Sequence, residues 1–203
     1  DTYFTIEELK EKIKPLQTDK DDKLVVLYAS NKDEQHAYID AAKEKGYEVL
    51  FLDSPIVSHL IQKLETTEEK VTFVRVDGDH IDNLIKKDEE QISKLNDEEK
   101  ETLKTVLTEI IPQDKFTVQL EAMDSNANPF IITQPEFMRR MKEMQQTGGG
   151  GGMFGMGNMP DMYNLVVNTN NELIGEILTT KTAKKKERLV NQALDLARLS
   201  QNL

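Results

Sequence analysis

Apolar residues recur in two rhythms along this chain, one helical and one of compact runs, and the switches between them mark its elements. Ile6, Leu9 and Ile13 lie at helical spacing, which predicts a short helix capped by Thr5 and running through Lys14, with Pro15 just beyond it. The apolar run "KLVVLYAS" (23–30) reads as a strand, "DEQHAYIDAAKEKG" (33–46) as a helix closed by Gly46, and "YEVLFL" (47–52) as a second buried strand. A strand, a helix and a strand in that order make a right-handed crossover, so strands 24–28 and 48–52 are expected to run parallel in a small α/β layer. Ser54 as N-cap and Pro55 at the first helical position open a helix over 54–65, and "VTFVRV" (71–76) adds a strand.

Residues 77–101 then change character, with ten acids and few large apolar groups, and read as a solvated connector. From Asn96 an amphipathic helix carries Leu103, Val106, Leu107, Ile110 and Ile111 and stops at Pro112. "FTVQLEAM" (116–123) alternates Phe116, Val118, Leu120 and Ala122 on one face, and "PFIIT" (129–133) is a short strand. "YNLVVNTNNELIGEIL" (163–178) reads as two strands joined by an asparagine-rich turn. Residues 96–203 therefore look like a mixed α+β domain. Its last segment, 182–203, is a strong helix with Leu189, Ala193, Leu196 and Leu203 at heptad-like spacing, while Val190, Leu194, Ala197 and Leu199 widen the apolar surface. A helix apolar on two sides either sits deep in a large core or faces a second subunit, and here the second copy is weighed as a homodimer.

The charge balance narrows the partners. Lys and Arg number 26 against 37 Asp and Glu, a net charge of −11, which repels nucleic acid and anionic lipid and argues against both. The absence of cysteine excludes disulfides, zinc-thiolate sites and thiol nucleophiles, and points to a reducing, cytoplasmic setting. The chain opens on "DTYFTIEELK" with no Met, and the apolar pattern continues to Leu203, so it is expected to be part of a longer protein.

All eight methionines fall between residues 123 and 162. In "TQPEFMRRMKEMQQTG" a capping box of Thr133 and Glu136 opens a helix on which Phe137, Met141 and Met144 share a face bordered by Met138, with Arg139, Arg140 and Lys142 at the rim. Such a stripe ordinarily packs into its own domain. Two features point outward instead: the helix runs into five glycines, and its apolar groups are Met and Phe, whose adaptable side chains suit irregular partners. Glycine is entropically costly to order, so 147–160 reads as a flexible stretch offering Met153, Phe154, Met156 and Met159 to a partner.

Other chemistry is thin. Thioethers at M-x-x-M spacing could bind Cu(I), though no Cys or His lies nearby. "GGGMFG" (150–155) matches a phosphate-loop pattern only formally, since it follows a helix instead of a strand. Asp77, Asp79, His80 and Asp82 fit no loop with defined ligand spacing, and His36, His59 and His80 stand in unrelated segments. No metal site and no catalytic residues are expected.

Four segments, in order, resemble the C-terminal half of the heat-shock-protein-90 chaperone family, bacterial high-temperature protein G type. "EKGYEVLFLDSPIVSHLIQKLE" (44–65) resembles its K-x-G-x-E-V-L-x-L segment and following helix, and "TVQLEAMDSNANPFIIT" (117–133) the strands opening its C-terminal domain. "PEFMRRMKEM" (135–144) resembles its Met-containing amphipathic helix, and "LVNQALDLARL" (189–199) its dimerisation helix. The resemblance implies a small α/β parallel-sheet subdomain over 1–80, the end of a middle domain, followed by an α+β dimerisation domain over 81–203 with a connector at 77–96. It implies client binding through Phe137, Met138, Met141 and Met144, extending to His59 and Gln62, and a homodimer through Leu189, Val190, Ala193, Leu194, Leu196, Ala197 and Leu203. Members usually dimerise through two helices from each protomer, and this chain ends within or just after the first. ATP and magnesium would belong to a domain outside this chain, so no cofactor and no ATP hydrolysis are expected of it.

The expected function is thus non-enzymatic: dimerisation and capture of partly unfolded client proteins by a heat-shock, stress-response chaperone. Alternatives are a small α/β nucleotide-binding protein with a disordered insert, or a Met-rich Cu(I) carrier.

Overall fold

The computed structural model describes residues 5–54, 56–87, 91–135, 139 and 162–203. They form two compact units, the first comprising the described chain through residue 87 together with Arg139, the second residues 91–135 and 162–203.

The first unit contains helix α1 (Ile6–Gln17), strand β1 (Leu24–Ala29), helix α2 (His36–Glu44), strand β2 (Val49–Phe51), helix α3 (Val57–Thr67), strand β3 (Val71–Arg75) and a short helix α4 (Ile81–Leu84). Thr5 caps α1 in a capping box: its hydroxyl accepts from Glu8 N at 3.2 Å and the Glu8 carboxylate accepts from Thr5 N at 2.8 Å. The helix passes through Pro15 to Gln17 instead of stopping before it. Gln17 explains the extension: it is buried, donates to Val25 O at 2.9 Å and accepts from Glu48 N at 2.6 Å. Its bonds to the backbone beside both β1 and β2 offset the backbone bond that Pro15 cannot make.

The sheet has the order β2-β1-β3 with both pairs parallel. Alternation along β1 sends Val26 and Tyr28 to one face, with Leu9, Ile13 and Ile61, and Val25, Leu27 and Ala29 to the other, with Ala42, Leu84 and Ile85. Helices α1 and α3 therefore cover one face, α2 and α4 the other. Gly46 ends α2 at φ +76°, a conformation that favours glycine. The start of the stretch read as a solvated connector takes part in this core. Leu84 and Ile85 are buried, and Lys87 Nζ donates to Leu16 O at 2.8 Å and Thr18 O at 2.7 Å.

The second unit contains helix α5 (Asp97–Ile110), strands β4 (Phe116–Glu121), β5 (Phe130–Thr133) and β6 (Tyr163–Asn168), and helices α6 (Glu172–Thr179) and α7 (Ala183–Ser200). Strand β6 lies in the middle, parallel to β4 and antiparallel to β5. Residues 163–178 are a strand followed by a helix, which corrects the expected hairpin. Asn171 is a helix cap here, its side chain accepting from Leu173 N at 2.9 Å, and Ile174 and Ile177 are buried on one helical face. One core joins Leu103 and Leu107 of α5, Leu165 and Val167 of β6, Ile174 and Ile177 of α6, and Val190, Ala193, Leu194 and Ala197 of α7.

Candidate functional site

Helix α7 is apolar on two sides and the structure uses only one of them internally. Val190, Ala193, Leu194 and Ala197 are spent in the unit's own core, and Leu189 packs half-buried against it. Leu196, Leu199 and Leu203 are 65 %, 74 % and 52 % exposed. Within α7, Leu196 and Leu199 continue the series 189, 192, 196, 199, the alternating three- and four-residue spacing of a helix-pairing seam, and Leu203 lies just past the helix end. Of the residues expected at a dimer interface, Leu196 is thus on the available face and Leu203 is exposed just past the helix end. Leu199, by its spacing only a widening of the apolar surface, is the most exposed of the three.

The seam's far end is held in place. Asn202 adopts φ +54° beyond the helix end, and Leu203 N donates to Arg198 O at 2.9 Å. The buried Gln201 accepts from Ile132 N of β5 at 2.8 Å. Arg198 lies 5.3 Å from the Phe116 ring centroid, on the strand at the other edge of the sheet. Leu199 in the last turn and Leu203 beyond it therefore flank a helix end tied to both outer strands.

On α3, His59 and Gln62 are both exposed, as are Ile56 just before the helix and Leu60 on it, while Ile61 points into the core. Phe137, Met138, Met141, Met144, Met153, Phe154, Met156 and Met159 lie outside the described residues. Arg139, placed by the sequence pattern at a solvated rim, is instead only 8 % exposed, its Nη2 donating to the Tyr28 hydroxyl at 2.8 Å. Nothing in the local sequence distinguishes it from Arg140, because its partner lies 111 residues away.

The acidic group around His80 is dispersed. Asp77 binds Arg75 through both carboxylate oxygens at 2.6 and 2.8 Å, Asp82 pairs with Lys45 at 2.9 Å, and His80 is buried beside Asp79 at 3.3 Å. Among the described residues no three acids or histidines converge as metal ligands. A groove of about 560 Å³ runs along β2, where Lys32 lies 4.6 Å from the Phe51 ring centroid. His36 Nδ1 in that groove donates to Asp33 O at 2.9 Å, and Asp40 pairs with Lys43 at 3.5 Å.

At the head of β1, where a doubly wound sheet ordinarily receives phosphate, two backbone amides are already engaged by a side chain. The amides of Ser30 and Asn31, which would face such a group, donate at 2.8 and 2.9 Å to the buried Gln35 side chain. The Gln35 oxygen thus already satisfies the two amides at this end of β1.

No described helix is long and apolar enough to cross a membrane. The model of the Hsp90 protein family matches residues 6–199. The chaperone protein HtpG of Bacteroides fragilis is 44 % identical over 179 residues, 87 % of this chain and 26 % of that protein. HtpG of Bacteroides thetaiotaomicron is 44 % identical over 184 residues, 89 % of this chain and 27 % of its own length. HtpG of Porphyromonas gingivalis is 38 % identical over 199 residues, 97 % of this chain and 29 % of that protein. The chain thus spans little more than a quarter of the length of these relatives. Because the family match begins at the first residue of α1 and reaches the exposed leucine seam of α7, covering both units, the chain belongs to the Hsp90 protein family.

Proposed function

We infer that this chain is the C-terminal half of an HtpG-type chaperone, pairing with a second copy through α7 and contributing an adaptable surface that holds partly unfolded clients. Residues 1–80 are the end of a middle domain and 81–203 an α+β dimerisation domain, in a protein that works in the cytoplasm. ATP and magnesium act in parts of the protein outside this chain, which itself does no chemistry. The observation that carries the reading is exposed Leu196 and Leu199 on a helix whose opposite face is already buried, with Leu203 exposed just past its end. Leucines in water at helix-pairing spacing lose most of their exposed apolar area when a symmetry-related helix meets them, at about 25 cal/mol per Å². Client binding rests on the methionines, whose flexible thioethers bury varied apolar groups with modest affinity because their own ordering offsets part of the gain.

Sedimentation equilibrium tests the pairing. The unaltered chain is expected to dimerise, and Leu196→Glu with Leu199→Glu to sediment as a folded monomer. An unaltered chain that stays monomeric at all accessible concentrations, or a dimer indifferent to both glutamates, would refute the assignment of the seam.

A further inference from the structure

The two edges of the first sheet are finished differently. At β3, Phe73 N donates to the Glu65 side chain of α3 at 2.8 Å, so a carboxylate already occupies that edge. At β2 the phase of the ladder is set by Leu52 N, which donates to Ala29 O at 2.8 Å. Successive residues of a strand turn their backbone groups to opposite sides, so Leu50 also faces β1, while the amides and carbonyls of Val49 and Phe51 face away from it. Among the described residues none hydrogen-bonds to those outward groups. Such an edge is a template for another strand. Beside it runs the groove of about 560 Å³, walled on the far side by His36, Ile39 and Lys43 at helical spacing on α2. Ile39 and Val49, both half-buried, make its middle apolar. Lys32 lies over Phe51 at one end, and Lys43 stands near Gly46, where α2 stops, at the other. The acids lining the groove are already paired, Asp40 with Lys43 at 3.5 Å and Glu48 with Lys12 at 2.9 Å. With Lys32, three lysines therefore face two carboxylates, a locally positive strip on a chain of net charge −11.

We propose that the β2 edge and this groove bind an extended acidic segment of a partner protein, which adds to the three-stranded sheet as a fourth strand through Val49 and Phe51. Alternate residues of a strand share one face, so a residue seated against Ile39 and Val49 places its neighbours two positions away over the cationic ends. The sequence that fits is an apolar residue with an acid two positions to each side. Backbone pairing supplies the affinity, and the apolar middle with its flanking lysines supplies the selection. The surface lies on the α2 side of the sheet, whereas α3 covers the other face. Strand addition here is therefore separate from the client and pairing surfaces proposed above.

The probe is the end-blocked peptide Thr-Glu-Thr-Val-Thr-Glu-Thr, compared with Thr-Lys-Thr-Val-Thr-Lys-Thr, each titrated at low salt into the full chain labelled with nitrogen-15. The acidic peptide is expected to shift the amide resonances of Val49 and Phe51 and to bind about tenfold more tightly than the basic one, the factor carried by two exposed charge pairs. Methylating every backbone nitrogen of the acidic peptide keeps its side chains and removes its strand donors, and is expected to abolish those shifts. Lys32→Glu, at an exposed position, is expected to weaken the acidic peptide about fivefold and to strengthen the basic one. Shifts that are absent, centred away from β2, or retained by the methylated peptide overturn strand addition. Equal affinities for the two peptides, or an acidic-peptide affinity indifferent to Lys32→Glu, overturn the selection for acids.

Discussion

Asn168→Leu tests whether the second unit depends on the asparagine cluster at the end of β6. Asn168 is fully buried, and its Oδ1 accepts from Met123 N at 3.2 Å and Asn170 N at 3.0 Å, while Nδ2 donates to Asp124 O at 2.7 Å. Leucine has nearly the same shape and can make none of these bonds. Met123 and Asn170 are themselves buried, so their amides lose a partner without gaining water; Asp124 is exposed, so its carbonyl can turn to solvent. Two stranded donors at about 1–3 kcal/mol each, less a small gain from the added apolar atoms, give a loss of about 3 kcal/mol. With a urea slope of about 1–2 kcal/mol per molar for a unit of this size, the midpoint falls by about 1.5–3 M. Whole-chain circular dichroism would mix the two units, so the transition is best followed by hydrogen exchange of peptides from β4 and β6, with those of β1 as the internal control. A midpoint lowered by less than about 0.5 M, or an equal loss in β1, would refute the accounting.

Two further outcomes are expected. Gln201→Leu withdraws an acceptor from Ile132 N, costing the second unit about 1–2 kcal/mol by chemical denaturation and weakening dimerisation by loosening the helix end that Leu199 and Leu203 flank; a stability loss with unchanged self-association would uncouple that helix end from the seam. Burial pushes the Tyr47 phenol above its ordinary pKa, with Lys45 opposing and Asp82 reinforcing the shift. A raised acid pKa means that the folded state holds its proton longer, so stability is full below about pH 10 and falls as pH rises from there through the folded-state pKa. Tyr47→Phe should remove that part of the alkaline loss, and an ultraviolet titration in which all phenols ionise at the ordinary value would contradict it.

The central strand of the first sheet was legible because Leu24 to Ala29 are a continuous apolar run with little choice but burial, and Gly46 at φ +76° stops α2 where the pattern said it should, whereas 47–52, expected as a second buried strand, yields the edge strand Val49–Phe51 with Phe51 42 % exposed. The hairpin expected over 163–178 gives the turn chemistry of Asn168, Asn170 and Asn171 priority over spacing; in fact Leu173, Ile174, Ile177 and Leu178 repeat with helical, not alternating, period. Gly175 encourages the error, yet a Cβ there would meet nothing within 4 Å, so the helix tolerates it without requiring it. Leu84 and Ile85 were hidden in an acidic stretch because two apolar residues establish no period, and their burial depends on the face that β1 presents. At the candidate site, the leucines of α7 were readable and their division was not. Which side faces the core is set by the position of β6 and α6, long-range information that no local window holds.

That division decides which substitutions can report on assembly. Leu194 and Val190 match the pairing pattern as well as Leu196 does, yet truncating a buried leucine costs about 2–5 kcal/mol, enough to unfold a marginal domain. A monomer produced by Leu194→Ala would therefore follow from loss of the fold and say nothing about the seam. Leu196 and Leu199 lie mostly in water in the single chain, so charging them leaves the fold's own apolar burial nearly untouched. The small side chains of Ala193 and Ala197 are buried on the opposite face, in the same core as Leu165 and Val167 of β6, and that one-sided packing turns the leucine stripe outward. Enlarging either alanine should consequently disturb the seam by rotating or lifting the helix, so even a change that never contacts the second copy can weaken pairing through the core.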